Sequence, residues 1–387
     1  MALRVGINAT PLLAPLTGIG NYVVRLGAAL AALGGADLHS FYGWRWRHEV
    51  PTAPDRDAAA ARVDAATPRL RTRIGPFVPW LREVRQVQQR LGFARGLRRH
   101  AIAIYHEPNY VPICYDVPVV VTIHDLSWLR YPETHPRDRI RWLQRGVPRA
   151  VANAAAIIVD SEFVRQEVVT SLGVDPGRVH AVHLGVAPDF HPRGAALTRA
   201  VLQPLDLVHG SYLLSVGTIE PRKNVRHVLA AYARLPEKLR ERHPLVIAGA
   251  RGWRAADLEK DLQALASRGR IRFLGRVPDA DLPALYAGAA AFVFASRYEG
   301  FGLPPLEAMA CGVPVLVSDR ASLPEIAGGA AGMLDPEQPG ETARAIEALL
   351  VDPDARAVLA RRCAARASVF TWETCARATL DVYRSIT

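Results

Sequence analysis

Short apolar runs rich in Val, Ile and Leu recur along this chain, with stretches of helical periodicity between them. The runs at 3–8 (LRVGIN), 102–107 (IAIYHE), 118–125 (PVVVTIHD), 155–161 (AAIIVDS) and 178–186 (RVHAVHLGV) have the length of buried strands. Helical patterns occupy 22–33, 137–153 and 162–172. The series restarts near 211 with SYLLSVGT and a helix at 225–235. Further runs follow at 244–250, 271–277, 290–296 and 313–319. Strands alternating with helices argue for parallel, doubly wound sheets. Between the two series, Pro192, Gly194, Pro204 and Gly210 punctuate a linker at 191–210. The pattern predicts an α/β protein of two Rossmann-like domains, 1–195 and 205–370, with a final helix at 371–387. Two such domains facing each other would enclose a cleft, with ligands beyond the carboxyl ends of the strands.

Half of the 387 residues are apolar and 22% are charged, enough for two cores. The four cysteines, Cys114, Cys311, Cys363 and Cys375, stand far apart, with no CxxC and no Cys/His cluster. That argues against a disulfide scaffold or a zinc module and suits a reducing cytosol. The opening MALRVGINAT reads as a strand rather than a signal peptide. No run of about 18 uncharged apolar residues offers a membrane span. A cytoplasmic protein, peripheral on the inner membrane face at most, is expected.

The formal charge of +11 is unevenly placed. Residues 1–200 hold 25 Lys and Arg against 16 Asp and Glu; 201–387 hold 23 against 21. The stretch 69–99 carries nine arginines and one acid, Glu83, with Phe77, Trp80, Leu81 and Phe93 interleaved. It would suit anionic lipid headgroups or a phosphorylated lipid acceptor. A solvated basic face on an Arg-rich chain accounts for the same charge. Nucleic acid would also be attracted, but no recognised nucleic-acid module accompanies the patch.

Three constellations could carry chemistry. Thr17-Gly18-Ile19-Gly20-Asn21-Tyr22 sets two glycines between a strand and a helix, where backbone N–H groups can approach a phosphate. A plain tight turn would look the same, and the third glycine of a dinucleotide fingerprint is missing. Glu220-Pro221-Arg222-Lys223-Asn224 puts two adjacent cations at the end of a strand. Arg offers a fork and Lys a point charge to a diphosphate, and both would stabilise a departing anion. In Glu299-Gly300-Phe301-Gly302-Leu303-Pro304-Pro305-Leu306-Glu307, two carboxylates flank a Gly-Pro turn that opens a helix. Each could accept hydrogen bonds from vicinal sugar hydroxyls, and the helix N-terminus would meet phosphate.

The last segment resembles the E-x7-E motif of retaining glycosyltransferases of the two-domain GT-B fold, family-4 type. VGTIEPRKN, TGIGNY, VDSEFVRQEV and VHLGV resemble further family segments in the same order, over almost the whole chain. TIHDLSWLRYPETHP is similar to a segment of bacterial mannosyl- and rhamnosyltransferases of O-antigen and exopolysaccharide synthesis. The resemblance implies that Gly18 and Gly20 contact donor phosphate. Arg222 and Lys223 would bind the diphosphate and stabilise the leaving nucleotide. Glu299 would hold donor-sugar hydroxyls, helped by backbone amides of Phe301, Gly302 and Leu303, while Glu307 would bind the ribose. Arg276 and Val277 would meet the base. His124 would face the donor sugar; a hydrogen-bonded strand-end histidine is the plainer reading of that residue, and Asp125 beside it reads as a loop acid. The final helix would cross back onto the first domain, with Trp372 as a packing residue.

The resemblance further implies a nucleotide-diphosphate sugar donor, GDP-mannose or a GDP-deoxyhexose such as GDP-rhamnose, and a saccharide or lipid-linked acceptor. No cofactor or metal is expected, since two cations can neutralise the diphosphate. UDP-sugars remain open as donors. A phosphorylase on the same fold would need a lysine for its pyridoxal cofactor, and the chain has three lysines with Lys223 assigned to phosphate. A non-catalytic membrane-surface or nucleic-acid-binding protein using 69–99 is the rival from another class.

Overall fold

The computed structural model describes residues 2–13, 18–51, 79–250 and 270–387, and for 79–87 the backbone alone. Among the described residues two sheets stand out. The first runs β3-β2-β1-β4-β5-β6-β7, and the second β10-β9-β8-β11-β12-β13. The strands of the first are β1 (Leu3–Asn8), β2 (Ala36–Phe41), β3 (Trp46–Arg47), β4 (Ile104–Glu107), β5 (Val119–Ile123), β6 (Ala156–Val159) and β7 (Val179–Ala181). Those of the second are β8 (Leu213–Val216), β9 (Leu245–Ala248), β10 (Ile271–Gly275), β11 (Ala291–Phe294), β12 (Val315–Ser318) and β13 (Gly332–Leu334). Every pairing is parallel except the short β2–β3 hairpin. In both orders the first strand of the series is central, and the chain reverses direction across the sheet beside it. That reversal opens a crevice at the carboxyl ends of the strands.

The central strands are apolar on both faces because helices cover both. Val119 to Val121 and Ala291 to Val293 are fully sequestered. The helices that place the site are α1 (Gly18–Leu33), α2 (Pro79–Arg99), α3 (Arg137–Asn153), α4 (Glu162–Leu172), α5 (Ala195–Leu202), α6 (Leu303–Ala310), α7 (Leu323–Ala327) and α8 (Trp372–Ser385). Their ends follow local chemistry. Ser161 Oγ accepts from Val164 N at the start of α4, and Gly173 closes that helix in the left-handed region at φ +64°.

Helix α8 lies along α1. Leu380 and Tyr383 share one apolar cluster with Tyr22, Leu26 and Leu30, and Tyr383 Oη lies 2.6 Å from His106 Nδ1. Trp372 is half-buried 6.3 Å from the Tyr22 ring, a packing position.

Some expectations need amending. The 191–210 linker contains α5, whose Thr198 and Leu202 are buried. Strands β2, β3 and β13 went unread. β2 (ADLHSF) buries His39 and Ser40, so its polar letters hide a strand. Of the basic stretch, residues 69–78 and the side chains of 79–87 lie outside the described residues, including Phe77, Trp80, Leu81 and Glu83. Beyond them Arg90, Arg95, Arg98 and Arg99 are exposed, while Phe93 is core, edge-on to Phe41 at 4.7 Å. No described helix is long and apolar enough to cross a membrane.

Candidate active site

The predicted site residues leave the sheets at carboxyl ends. His124 follows β5, Glu220 to Lys223 follow β8, Arg276 and Val277 follow β10, and Glu299 follows β11. Arg222 and Lys223 stand in a single 3-10 turn, Pro221–Lys223. Asn224 ends it at φ +53°, a left-handed conformation that Asn tolerates, and anchors it by donating from Nδ2 to Pro336 O at 3.0 Å. The turn aims both cations at one carboxylate. Lys223 Nζ lies 2.6 and 2.7 Å from the two oxygens of Glu299, and Arg222 Nη1 lies 3.4 Å from Oε2. Arg222 Nη1 also donates to Tyr298 O at 2.9 Å. Its Nε sits 2.7 Å from Glu220 Oε1, an ion pair off the line of the N–H.

Burial pushes the Glu299 carboxyl upward, but Lys223 and Arg222 overcome it and hold the group below its ordinary value. Burial lowers Arg222, yet Glu299, Glu220 and Asp125 raise it well above its usual range. Burial lowers Lys223 below its ordinary value, and Glu299 beside it works in the opposite direction.

The Glu299 loop is tied from behind by Ser322, whose Oγ lies 2.9 Å from Glu299 O and 2.8 Å from Phe301 O. Gly302 caps α6 at φ +113°, and its backbone turn gives way directly to helix. Pro304 and Pro305 carry no N–H and Leu306 N donates to Gly302 O at 3.3 Å, so the Leu303 amide is the first-turn donor without an intrahelical acceptor. Phe301 is buried against Phe370, 5.9 Å between centroids.

Glu307 does not join the trio: no contact links them among the described residues. It is half-buried one turn further along α6. Burial pushes its carboxyl up to about 7, Tyr286 draws it down, and Asp279 raises it. The segment after β10 thus borders Glu307. Within it Val277 is buried and Arg276 exposed.

His124 belongs to the first lobe and meets this loop through its backbone. A Cβ on Gly300 would fall inside the shell of the His124 carbonyl oxygen and 3.0 Å from Asp125 Cβ. Its ring is held on both sides, with Nδ1 2.8 Å from Asp160 Oδ2 and Nε2 3.0 Å from Pro108 O. The Pro108 carbonyl can only accept, so Nε2 donates to it, and the Asp160 carboxyl fixes the other side of the ring. Burial lowers its pKa, but Asp160 wins and the value ends above the ordinary one. Tyr22 packs edge-on to the ring at 5.0 Å. Asp125 acts as a loop acid: its Oδ1 accepts from Ser127 N at 3.0 Å and Tyr110 Oη at 3.1 Å. Gly18 opens α1, exposed, and Gly20 is buried in its first turn; no contact joins either to the trio.

Sequence reasoning missed Asp160, although it lies in the VDSEF segment, and Glu220, although it lies beside Arg222. It also missed Glu107. That carboxyl accepts from Asn8 Nδ2 at 2.8 Å and Asn109 N at 3.0 Å, and burial pushes it up to about 7. Glu107 lines a groove of about 1320 Å³ in the first lobe, whose other wall carries Arg139, Trp142, Arg145 and Arg149. No local motif marks Glu107; only the groove does.

Two facing parallel-sheet lobes, with a cationic pair and a glutamate at the strand ends between them, define a glycosyltransferase of the GT-B fold. Family models agree: Glycosyltransferase Family 4 matches residues 16–190 and Glycosyl transferases group 1 matches 208–366. The chain belongs to the family-4, group 1 glycosyltransferases. It is 37% identical over 385 residues to the O-antigen chain mannosyltransferase B of Escherichia coli, covering 99% of this chain and 100% of that one. It is 34% identical over 268 residues to the serotype-specific mannosyltransferase WbdA of Escherichia coli, covering 68% of this chain and 33% of that longer protein. Two solved structures share the fold. Sucrose-phosphate synthase of Thermosynechococcus elongatus superposes with a TM-score of 0.74 at 21% identity, covering 99% of both chains. WaaG superposes with 0.69 at 17% identity, covering 98% of this chain and 99% of that one.

Proposed function

We propose that this glycosyltransferase moves a hexose from a GDP-linked donor to a saccharide or lipid-linked saccharide, with retention, in cell-surface polysaccharide synthesis. Mannose ranks before a deoxyhexose such as rhamnose because the 37% relative spans the whole chain and is an O-antigen mannosyltransferase. The observation that carries the reading is Glu299 gripped by Lys223 and Arg222 on the loop that touches His124.

In this reading the donor diphosphate takes over the two cations, and Glu299, released from Lys223, accepts hydrogen bonds from sugar hydroxyls. Amides of Phe301, Gly302 and Leu303 support the phosphate end, with Gly18 and Gly20 opposite. Glu307 holds the ribose diol, and Arg276 and Val277 border the base. The acceptor hydroxyl attacks the anomeric carbon on the face the nucleotide leaves. The bond from that carbon to the diphosphate oxygen breaks, and the acceptor proton passes to that leaving oxygen. Arg222 and Lys223 stabilise the charge that develops there, and His124 faces the sugar. No step draws on a metal or other cofactor. The arginine-lined groove suits an acceptor with a phosphate group, at the membrane surface if that acceptor is lipid-linked.

Calorimetric titration with GDP, UDP and ADP, then turnover assays with the sugars of the best binder, test the reading. GDP binding tightest and GDP-mannose consumed, with the product's anomeric configuration unchanged by NMR, is expected. Tightest UDP binding would reassign the donor. A folded protein that turns over no nucleotide-sugar would sink the proposal and favour a binding protein.

A further inference from the structure

A second cluster of ligating side chains lies away from the cleft, toward the amino ends of the first sheet. Asp37 and His39 are two apart on β2 and so share a face. The β3 hairpin brings His48 beside them, and the turn after α2 brings His100. One donor atom each from Asp37, His39 and His48 lies within 4.8 Å of the others. His48 Nε2 is 2.5 Å from Asp37 Oδ1, and His39 Nε2 is 3.6 Å from Asp37 Oδ2. The rings of His39 and His48 stack at 4.5 Å, and the His100 ring centroid is 5.0 Å from that of His39.

His39 is the informative member. It is 94% buried by the exposure of 6%, yet neither ring nitrogen has a hydrogen-bond partner. Buried polar atoms in native proteins are paired, and an unpaired pair of imidazole nitrogens beside a carboxylate and a second imidazole calls for an explanation. Arg4 Nε, 3.7 Å from Asp37 Oδ2, reaches the carboxylate but is no partner for the rings.

We propose that Asp37, His39 and His48 bind a divalent first-row cation of the zinc type. Imidazole with one carboxylate suits zinc over calcium or magnesium, which take oxygen donors. With metal–ligand bonds of about 2.0–2.2 Å, tetrahedral donors sit about 3.3 Å apart, so the His48–Asp37 pair at 2.5 Å opens slightly while the wider pairs within the 4.8 Å span close on the ion. The side chain of His48 is 67% exposed and free to swing, so the closure needs no change in the sheet. The ion would replace the proton between His48 and Asp37 and satisfy one nitrogen of His39. It would clamp a two-residue strand, β3, to β2. The site lies apart from the proposed transfer reaction.

The test uses the full chain without an affinity tag, stripped with a chelator and titrated with Zn²⁺ by calorimetry. One Zn²⁺ per chain is expected, with Tm raised by about 5 °C at saturating metal. Cobalt in its place should give the visible absorption of a low-symmetry His/carboxylate site. His48→Ala, at an exposed position that leaves the core intact, should weaken binding at least 10-fold and abolish the Tm rise. His39→Ala should do the same, with circular dichroism as the check on folding. A wild-type chain that binds no Zn²⁺, or a His48→Ala variant that binds it as tightly as wild type, overturns the proposal.

Discussion

Glu299 sits where a carboxylate is expensive: its side chain is 8% exposed, and Lys223 and Arg222 are little more so at 11% and 14%. Three charges share one small buried space, and each is tolerable because of the others. Removing one partner leaves the rest uncompensated, at about 3–5 kcal/mol for a buried pair. Lys223→Ala and Arg222→Ala should therefore lower Tm as well as turnover. Turnover should fall by about 10²-fold or more, the scale of losing an electrostatic stabiliser. Steady-state kinetics on protein shown to be folded checks this; near-normal kcat in both variants would exclude them from leaving-group stabilisation. Glu307 makes a second prediction. Its folded pKa of about 7 lies above the ordinary 4.5, so between those values the folded chain holds the proton that the unfolded chain has lost. Its contribution to stability is whole below 4.5 and declines as pH rises towards 7. In the proposed role the ionised carboxylate accepts from both ribose hydroxyls, so GDP affinity should rise from pH 6 to pH 8, and Glu307→Gln should flatten that profile in calorimetry.

At the scale of one element, the loop from Glu299 into α6 works because two glycines meet two different demands. Gly302 holds φ +113°, and a Cβ there would also come 2.7 Å from Leu323 Cδ2 on α7. Gly302→Ala should cost about 1–3 kcal/mol, read as a lower denaturant midpoint at unchanged slope. Gly300 has no such backbone strain; its constraint is the other lobe, where His124 and Asp125 press against its Cα. Gly300→Ala should leave the unfolding midpoint of the second lobe intact while holding the lobes apart. A displacement of about 1 Å at the reacting centre can cost 10²-fold in rate. Wild-type transfer by Gly300→Ala would show that this contact is irrelevant to the reaction. The spacing E-G-F-G-L-P-P-L-E was legible in the sequence because glycine, proline and carboxylate all speak locally. The difference between the two glycines was not, because it depends on which neighbour arrives from 175 or so residues away.

At the scale of the whole molecule, the lobes are joined by polar contacts around the site. Ser161 Oγ donates to Gly300 O at 2.7 Å, and Tyr298 Oη donates to Glu167 Oε2 at 2.6 Å while accepting from Leu126 N at 2.9 Å. Glu325 on α7 caps α4 across the gap: its two oxygens accept from Glu162 N at 2.9 Å and Phe163 N at 3.1 Å. It also meets His183 Nε2 at 2.6 Å. Burial raises the Glu325 carboxyl, but His183 and the two amides together carry it below its ordinary value. Its contribution is therefore present above the unfolded carboxylate pKa and is lost as pH falls through the lower, folded one. Glu325→Ala should loosen the lobes at neutral pH, seen as a larger radius of gyration in small-angle scattering, and wild-type protein should approach that state on acidification. Identical scattering from variant and wild type would show that the cap does not hold the lobes.

Local order in the chain determined the strands, most helices, the two-series architecture and the pairing of cations with glutamates at strand ends, since apolar runs, turn residues and adjacent charges act over a few positions. Tertiary structure alone decided that Lys223 and Arg222 close on Glu299 rather than Glu307, that Asp160 holds the His124 ring, and that Glu107 borders a groove. It also gathered Asp37, His39, His48 and His100 from segments that share no motif. Each of those outcomes depends on which buried groups are left without water and must find partners in another element, and a linear pattern does not record that.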